Sequence, residues 1–163
     1  MNEKATTRGG VVIFYHLTRS PAAATLLSIL PRALEAGWRV LLRGDQAVLG
    51  ELDAKLWEGE ATQFLPHALA GGAEDADQPI LLGNIPSAGF DALALVGSTQ
   101  VDMAEAAALQ RVWVLFDASD DGQMTAARAL WKAVSAAGLH AQYHSEESGK
   151  WALKTAANAP ASP

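Results

Sequence analysis

Four side chains in the last third of the sequence carry its strongest chemical signal: Met124, Arg128, Trp131 and Lys132. On a helix starting near Thr125, at 100° per residue, they share one arc with Ser135, beside an apolar arc of Ala127, Leu130, Val134 and Ala137. An indole supplies a hydrophobic wall and a guanidinium can hold a carboxylate bidentately, so this face suits an acidic peptide with an apolar anchor. Arg128 and Lys132 are like charges at i,i+4, which slightly destabilise a helix unless something anionic meets them. The competing reading packs Trp131 at the edge of the core and leaves both cations in water, and the residues alone leave the two readings level.

The other chemistry-bearing residues do not assemble into a catalytic set. Asp117 closes "RVWVLFD", where a Walker-B acid or a phospho-accepting Asp would stand. The first role needs a P-loop, and the second needs further acids after the first strand, where "FYHLTR" has none. Capping of the following helix by the loop acids is the simpler role. Thr18, Arg19 and Ser20 precede a helix and could hold an anion weakly, but neither G-x-G-x-x-G nor G-x-x-x-x-G-K-[ST] is present to cradle a phosphate. His140 and His144 would lie about 13 Å apart on a strand, too far for one metal. His16 and His67 are solitary, and there is no G-x-S-x-G and no cysteine. Neither enzymatic activity nor a cofactor or metal is expected.

The elements that must position these residues follow from hydrophobic runs and helix punctuation. "VVIFYHL" (11–17), "WRVLLRG" (38–44), "PILLGN" (79–84), "DALALVG" (91–97), "RVWVLFD" (111–117) and "LHAQYH" (139–144) are short apolar runs expected as strands. Between them, "SPAAATLLSILPRALEAG" reads as a helix with Ser20 as N-cap, Pro21 at its first position, a kink at Pro31 and a stop at Gly37. A second helix is expected at 45–57 with Asp45 as cap, and the Ala-rich helix after Asp117 should stop at Gly138. "GGAEDADQP" (71–79) is a surface loop. This alternation predicts an α/β fold, a three-layer Rossmann-like domain with a mainly parallel sheet and no functional nucleotide-binding loop.

The 163 residues suffice for one domain, expected over 11–153, with a flexible N-terminus at 1–10 and a disordered tail at 154–163. With 12 Lys+Arg against 18 Asp+Glu, the net charge of -6 opposes a polyanion, so direct nucleic-acid binding is disfavoured. No cysteine is present, no apolar h-region opens the chain, and no apolar run approaches the ~20 residues of a membrane span. A cytoplasmic protein without a membrane contact is expected.

The stretch "LWEGEATQFLPH" (56–67) sets Trp57 and Phe64 around a polar segment ending in Pro66-His67, and its residues fit a pocket wall, a piece of core or a partner surface. "GWRVLL", "LDAKLWEGEATQFLPH" and "ARALWKAVSAAG" resemble, in order and spacing, the chi subunit family of the bacterial DNA polymerase III clamp-loader complex. The most distinctive signature of that family is matched by Leu52, Asp53, Leu56, Trp57, Phe64, Leu65, Pro66 and His67. The likeness spans 11 to about 153, with 98–111 unmatched.

The resemblance implies a non-catalytic accessory subunit of DNA polymerase III in DNA replication. It would bind the acidic C-terminal tail of single-stranded DNA-binding protein, which ends in a Phe with a free carboxylate, and join the clamp loader through the psi subunit. Carried over by position, the tail site is Arg128, Trp131 and Lys132, with Met124 and Trp151 nearby. Met124 departs from the family pattern, which has a basic residue there. The psi-facing surface is Trp57, Phe64 and Pro66, against a local reading in which Leu56 and Trp57 are core and His67 is a hydrogen-bond partner. DNA contact would be mainly indirect, and the protein a monomer or a heterodimer with psi. The rivals are a direct single-stranded-DNA binder that stacks bases on Trp131 and Trp151, and a degenerate nucleotide-binding α/β enzyme.

Overall fold

The computed structural model describes residues 10–18, 21–58, 66–72, 75–97, 100–146 and 150–159. In chain order the elements are β1 (Val11–Leu17), α1 (Ala22–Glu35), β2 (Val40–Arg43), α2 (Gln46–Trp57), β3 (His67–Leu69), β4 (Ile80–Leu82), β5 (Ala92–Val96), α3 (Met103–Ala108), β6 (Arg111–Asp117), α4 (Asp121–Ala136), β7 (His140–Ser145) and β8 (Ala152–Ala157). The strands form one sheet in the order β3-β4-β2-β5-β6-β1-β7-β8, in which β7 and β8 pair antiparallel and every other pair is parallel.

Alternation along the strands sorts the core into two layers. Ile13 and Leu17 of β1, Trp113 and Leu115 of β6 and Leu42 of β2 pack with Leu26 and Leu30 of α1 and with Leu49, Leu52 and Leu56 of α2. Their neighbours Val12, Phe14, Val112, Val114, Phe116 and Leu41 face the other way, onto Ala106 of α3 and Ala127, Leu130 and Val134 of α4. Burial on both faces is why these strands read as continuous apolar runs rather than as alternating ones. Each fully buried Leu or Phe contributes roughly 1.5–3 kcal/mol of transfer free energy. The arc assigned to the core of α4 is buried at Ala127, Leu130 and Val134, whereas Ala137 is the exposed C-cap.

The helix ends follow local chemistry. Asp45, Asp102 and Asp120 each accept a hydrogen bond from a backbone N–H of the first turn. Gly37 and Gly138 take φ of +82° and +80° just past α1 and α4, the left-handed conformation that ends a helix. Gly10 has a different reason: a Cβ there would lie 2.2 Å from the Gln110 carbonyl oxygen, so only glycine lets β1 start against the turn into β6.

Three elements lie where no strand or helix is expected from the sequence: β3, α3 and β8. The tail expected to be disordered from Lys154 is a strand through Ala157, and the Asn158 side-chain amide donates to the carbonyls of Ser135 and Leu139, both at 3.0 Å. Pairing with β7 and this tie to the carbonyl end of α4 order a segment whose own β propensity is low. Helix α1 begins after Pro21, which takes the N-cap position without a side-chain cap, and it runs on through Pro31. Ser20, expected as the N-cap, lies outside the described residues, as does Arg19.

Candidate functional site

Helix α4 crosses the sheet above β6 and β7 and sets Met124, Arg128, Trp131 and Lys132 along a recess of about 500 Å³. Its floor is aromatic. The Trp131 ring meets Phe14 edge-on at 5.2 Å and Tyr143 at 5.9 Å, and Tyr143 lies 5.9 Å from Phe116. His16 stacks on Phe116 from below, at 5.3 Å and an angle of 7°. Trp131 is thus held by rings on its inner side and half-buried: it packs at the edge of the core and also walls the recess.

Strand β8 completes the rim. Tyr143 pairs with Thr155 and His144 with Leu153, which leaves Lys154 as an extra residue at a bulge. Both Lys154 and Thr155 line the recess, so the third cation comes from β8 where the helix carries Met124. Arg128, Lys132 and Lys154 form no ion pair among the described residues, and no acid lines the recess. In a chain of net charge -6, three cations around an aromatic floor form a local positive field that suits an anionic group with an apolar anchor.

Trp151 is not part of this recess. It packs edge-on against Tyr15 at 5.3 Å, and Tyr15 points to the opposite face of the sheet from Phe14 and His16. The resemblance places it near the α4 site, whereas in the structure it stands just before β8 against Tyr15, on the other face of the sheet. Tyr143, Phe116 and Lys154 also line the recess and are not among the residues expected there from the sequence. Tyr143 could have been found from alternation with Ala141; Lys154 needed the unforeseen strand and its bulge.

The carboxyl ends of β1, β5 and β6 meet in a shallow hollow lined by Thr18, Gly97, Asp117 and Gln123. The backbone N–H of Thr18 donates to the buried Glu146 carboxylate at 2.9 Å, so the protein's own anion takes the backbone donor that follows β1. Asp117 accepts from the Ser119 backbone N–H and hydroxyl, and its own N–H goes to Gln123. These acids organise the turn into α4.

At the opposite edge of the sheet the distinctive motif forms a local unit. Leu52 and Leu56 are buried, and the buried His67 ring lies 3.4 Å from both the Asp53 carboxylate and its main-chain oxygen. Trp57 covers His67 at 4.4 Å between ring centres yet remains 55% exposed, and Pro66 beside it is half-buried. Phe64 lies outside the described residues. Leu56 is therefore core, His67 a local partner, and Trp57 a surface indole.

Of residues 98–111, unmatched in the sequence, the described ones bury Val101, Ala106 and Leu109 in the core, and an ion pair also ties α3 to β2. Glu105 of α3 receives both terminal nitrogens of Arg43, at 3.1 and 2.6 Å, and the Ser87 hydroxyl at 2.6 Å. Arg43 also donates to the carbonyls of Gln100 and Ile85. The hydrogen bond from Arg43 is the main reason the Glu105 carboxyl is held down at about 2.

Fold and site together define a three-layer α/β protein with a cation-rimmed aromatic recess and, among the described residues, no cluster of metal-ligating side chains. Residues 10–142 match the family of the DNA polymerase III chi subunit, HolC, and the chain belongs to that family. It is 35% identical over 77 residues to DNA polymerase III subunit chi of Pseudomonas aeruginosa, a match covering 44% of this chain and 52% of that protein. The aligned part thus spans about half the length of that relative. No described helix is long and apolar enough to cross a membrane.

Proposed function

We propose that this protein is a non-catalytic accessory subunit that binds the acidic C-terminal tail of single-stranded DNA-binding protein in the α4–β8 recess. The observation that carries the reading is the juxtaposition of an aromatic floor with Arg128, Lys132 and Lys154, three cations without an acid beside them. A terminal Phe would rest on Trp131 and Tyr143, and its free carboxylate would meet Arg128. Each contact is weak and screened by salt, and many tails along a coated strand raise the effective concentration. Contact with DNA is then indirect, in keeping with a net charge of -6.

The second surface, Trp57 with Pro66 and Phe64, would take the psi subunit and so link the coated strand to the clamp loader. Its support is an indole left 55% exposed beside buried motif residues. The protein would act in the cytoplasm as a monomer or in a heterodimer with psi. The test is a fluorescence anisotropy titration with a labelled acidic peptide ending in Asp-Phe, set against the same peptide amidated. Saturable binding that needs the free carboxylate is the expected result; equal binding of both peptides, or none at low salt, overturns it.

A further inference from the structure

The face of the sheet opposite the α4 recess holds a second cavity, of about 430 Å³, between α1 and the β7 edge. Its walls are rings: Tyr15, Trp38, Trp113 and Trp151, with His144 beside them. His144 stacks on Tyr15 at 5.7 Å and Trp151 stands against Tyr15 from another side. Burial pushes the His144 imidazole below its ordinary value, toward the neutral form.

Two guanidiniums enter the same cavity. Arg32 comes from α1 and Arg111 from the start of β6, and neither has an acid partner among the described residues. Arg111 lies over the Trp38 ring at 5.4 Å. Arg32 and Arg111 line the cavity together with Tyr15, whose phenol burial raises above its ordinary value while the two cations act in the opposite direction. Arg111 Nε and Thr25 Oγ1 are buried without a hydrogen-bond partner, and both residues line this cavity.

We propose that this cavity binds a nucleoside monophosphate, the base lying between the indole walls and the phosphate on Arg32 and Arg111. Flat walls select a flat ring. Two unpaired guanidiniums select an anion, and planar forks fit a phosphate bidentately. Thr25 Oγ1 is closed off from solvent as it stands, so it meets a ring with a polar edge, which a nucleobase has and a phenyl group lacks, by turning toward the cavity. The volume suits a small ligand, and the net charge of -6 disfavours a long polyanion. This site lies away from the carboxyl ends of the strands, and its use does not depend on the α4 recess.

The test uses the full chain at low salt and follows tryptophan fluorescence, with calorimetry in parallel, on addition of thymidine monophosphate and adenosine monophosphate. Thymidine, phenyl phosphate and a thymidine oligonucleotide are the comparison ligands. Arg32→Ala, Thr25→Val and Trp151→Ala are made alongside Arg128→Ala, with thermal melts to verify folding. The expected result is saturable binding of a monophosphate, weakened about ten-fold by Arg32→Ala, weakened also by Trp151→Ala and Thr25→Val, and unchanged in Arg128→Ala. No saturation by about 5 mM would overturn the proposal. So would equal binding of phenyl phosphate, loss in Arg128→Ala alone, or tighter binding of the oligonucleotide than of the monomer.

Discussion

Arg43 and Arg128 are the same residue used in opposite ways. Arg43 is 8% exposed in its side chain, and its guanidinium meets Glu105 and two carbonyl groups, so its charge is satisfied by the fold. Arg128 stands exposed on α4 beside Lys132 and Lys154 without a carboxylate among the described residues. A paired buried cation fixes one segment against another; unpaired cations over an aromatic floor are complementary to something outside the molecule. Under the proposed function Arg43 serves folding and Arg128 binding, and each side can be broken independently.

The largest effect is expected at Arg43. Arg43→Ala strands the Glu105 carboxylate and loosens the contact of α3 with β2, at a cost of about 2–4 kcal/mol, less than for a fully buried pair because Glu105 is partly exposed. Urea unfolding measures that loss, and tail-peptide affinity of the folded variant should not change. The pH dependence follows from Glu105. Its folded value of about 2 lies below the ordinary 4.5, so its contribution is full above pH 4.5 and is lost as pH falls toward 2. Glu105→Gln should therefore lower stability at pH 7 and flatten the acid limb between pH 4.5 and 2; an unchanged acid limb would show that the pair contributes nothing.

Smaller effects sharpen the binding side. Trp57→Ala removes an exposed indole, so stability should change little while association with psi weakens by about 2 kcal/mol or more and tail binding stays the same. Equal losses of both would mark a folding defect at the Asp53–His67 corner. Lys154→Ala should cost about 0.5–1 kcal/mol of peptide affinity and reduce its salt dependence, as expected for one exposed charge at a rim. An unaltered salt dependence would remove β8 from the site.

Much of this arrangement was legible in the sequence where one strong rule acts. "RVWVLFD" is β6 to the residue, since a β-branched and aromatic run has no other use. Periodicity gathered Met124, Arg128, Trp131 and Lys132 on one side of α4, and the structure opens a recess there. What failed was set by long-range pairing. "ALKTAA" has weak intrinsic preference and becomes a strand only because β7 offers an edge and Asn158 ties its end to α4. Without that strand, Lys154 looked like tail and Trp151 like a neighbour of Trp131. Alternation and a bulge put Lys154 on one face and Trp151 against Tyr15 on the other.

In the proposed function Arg128 and the carboxylate of a terminal Phe meet each other. A double-mutant cycle tests it directly: peptide affinity for the wild type and Arg128→Ala, each with the free and the amidated peptide, at one low salt concentration. A coupling of about 1–3 kcal/mol is expected, so that amidation matters in the wild type and hardly at all once Arg128 is gone. Additive losses with no coupling would contradict it, because the carboxylate would then be held elsewhere and the α4 recess would not be the site that reads the end of the tail.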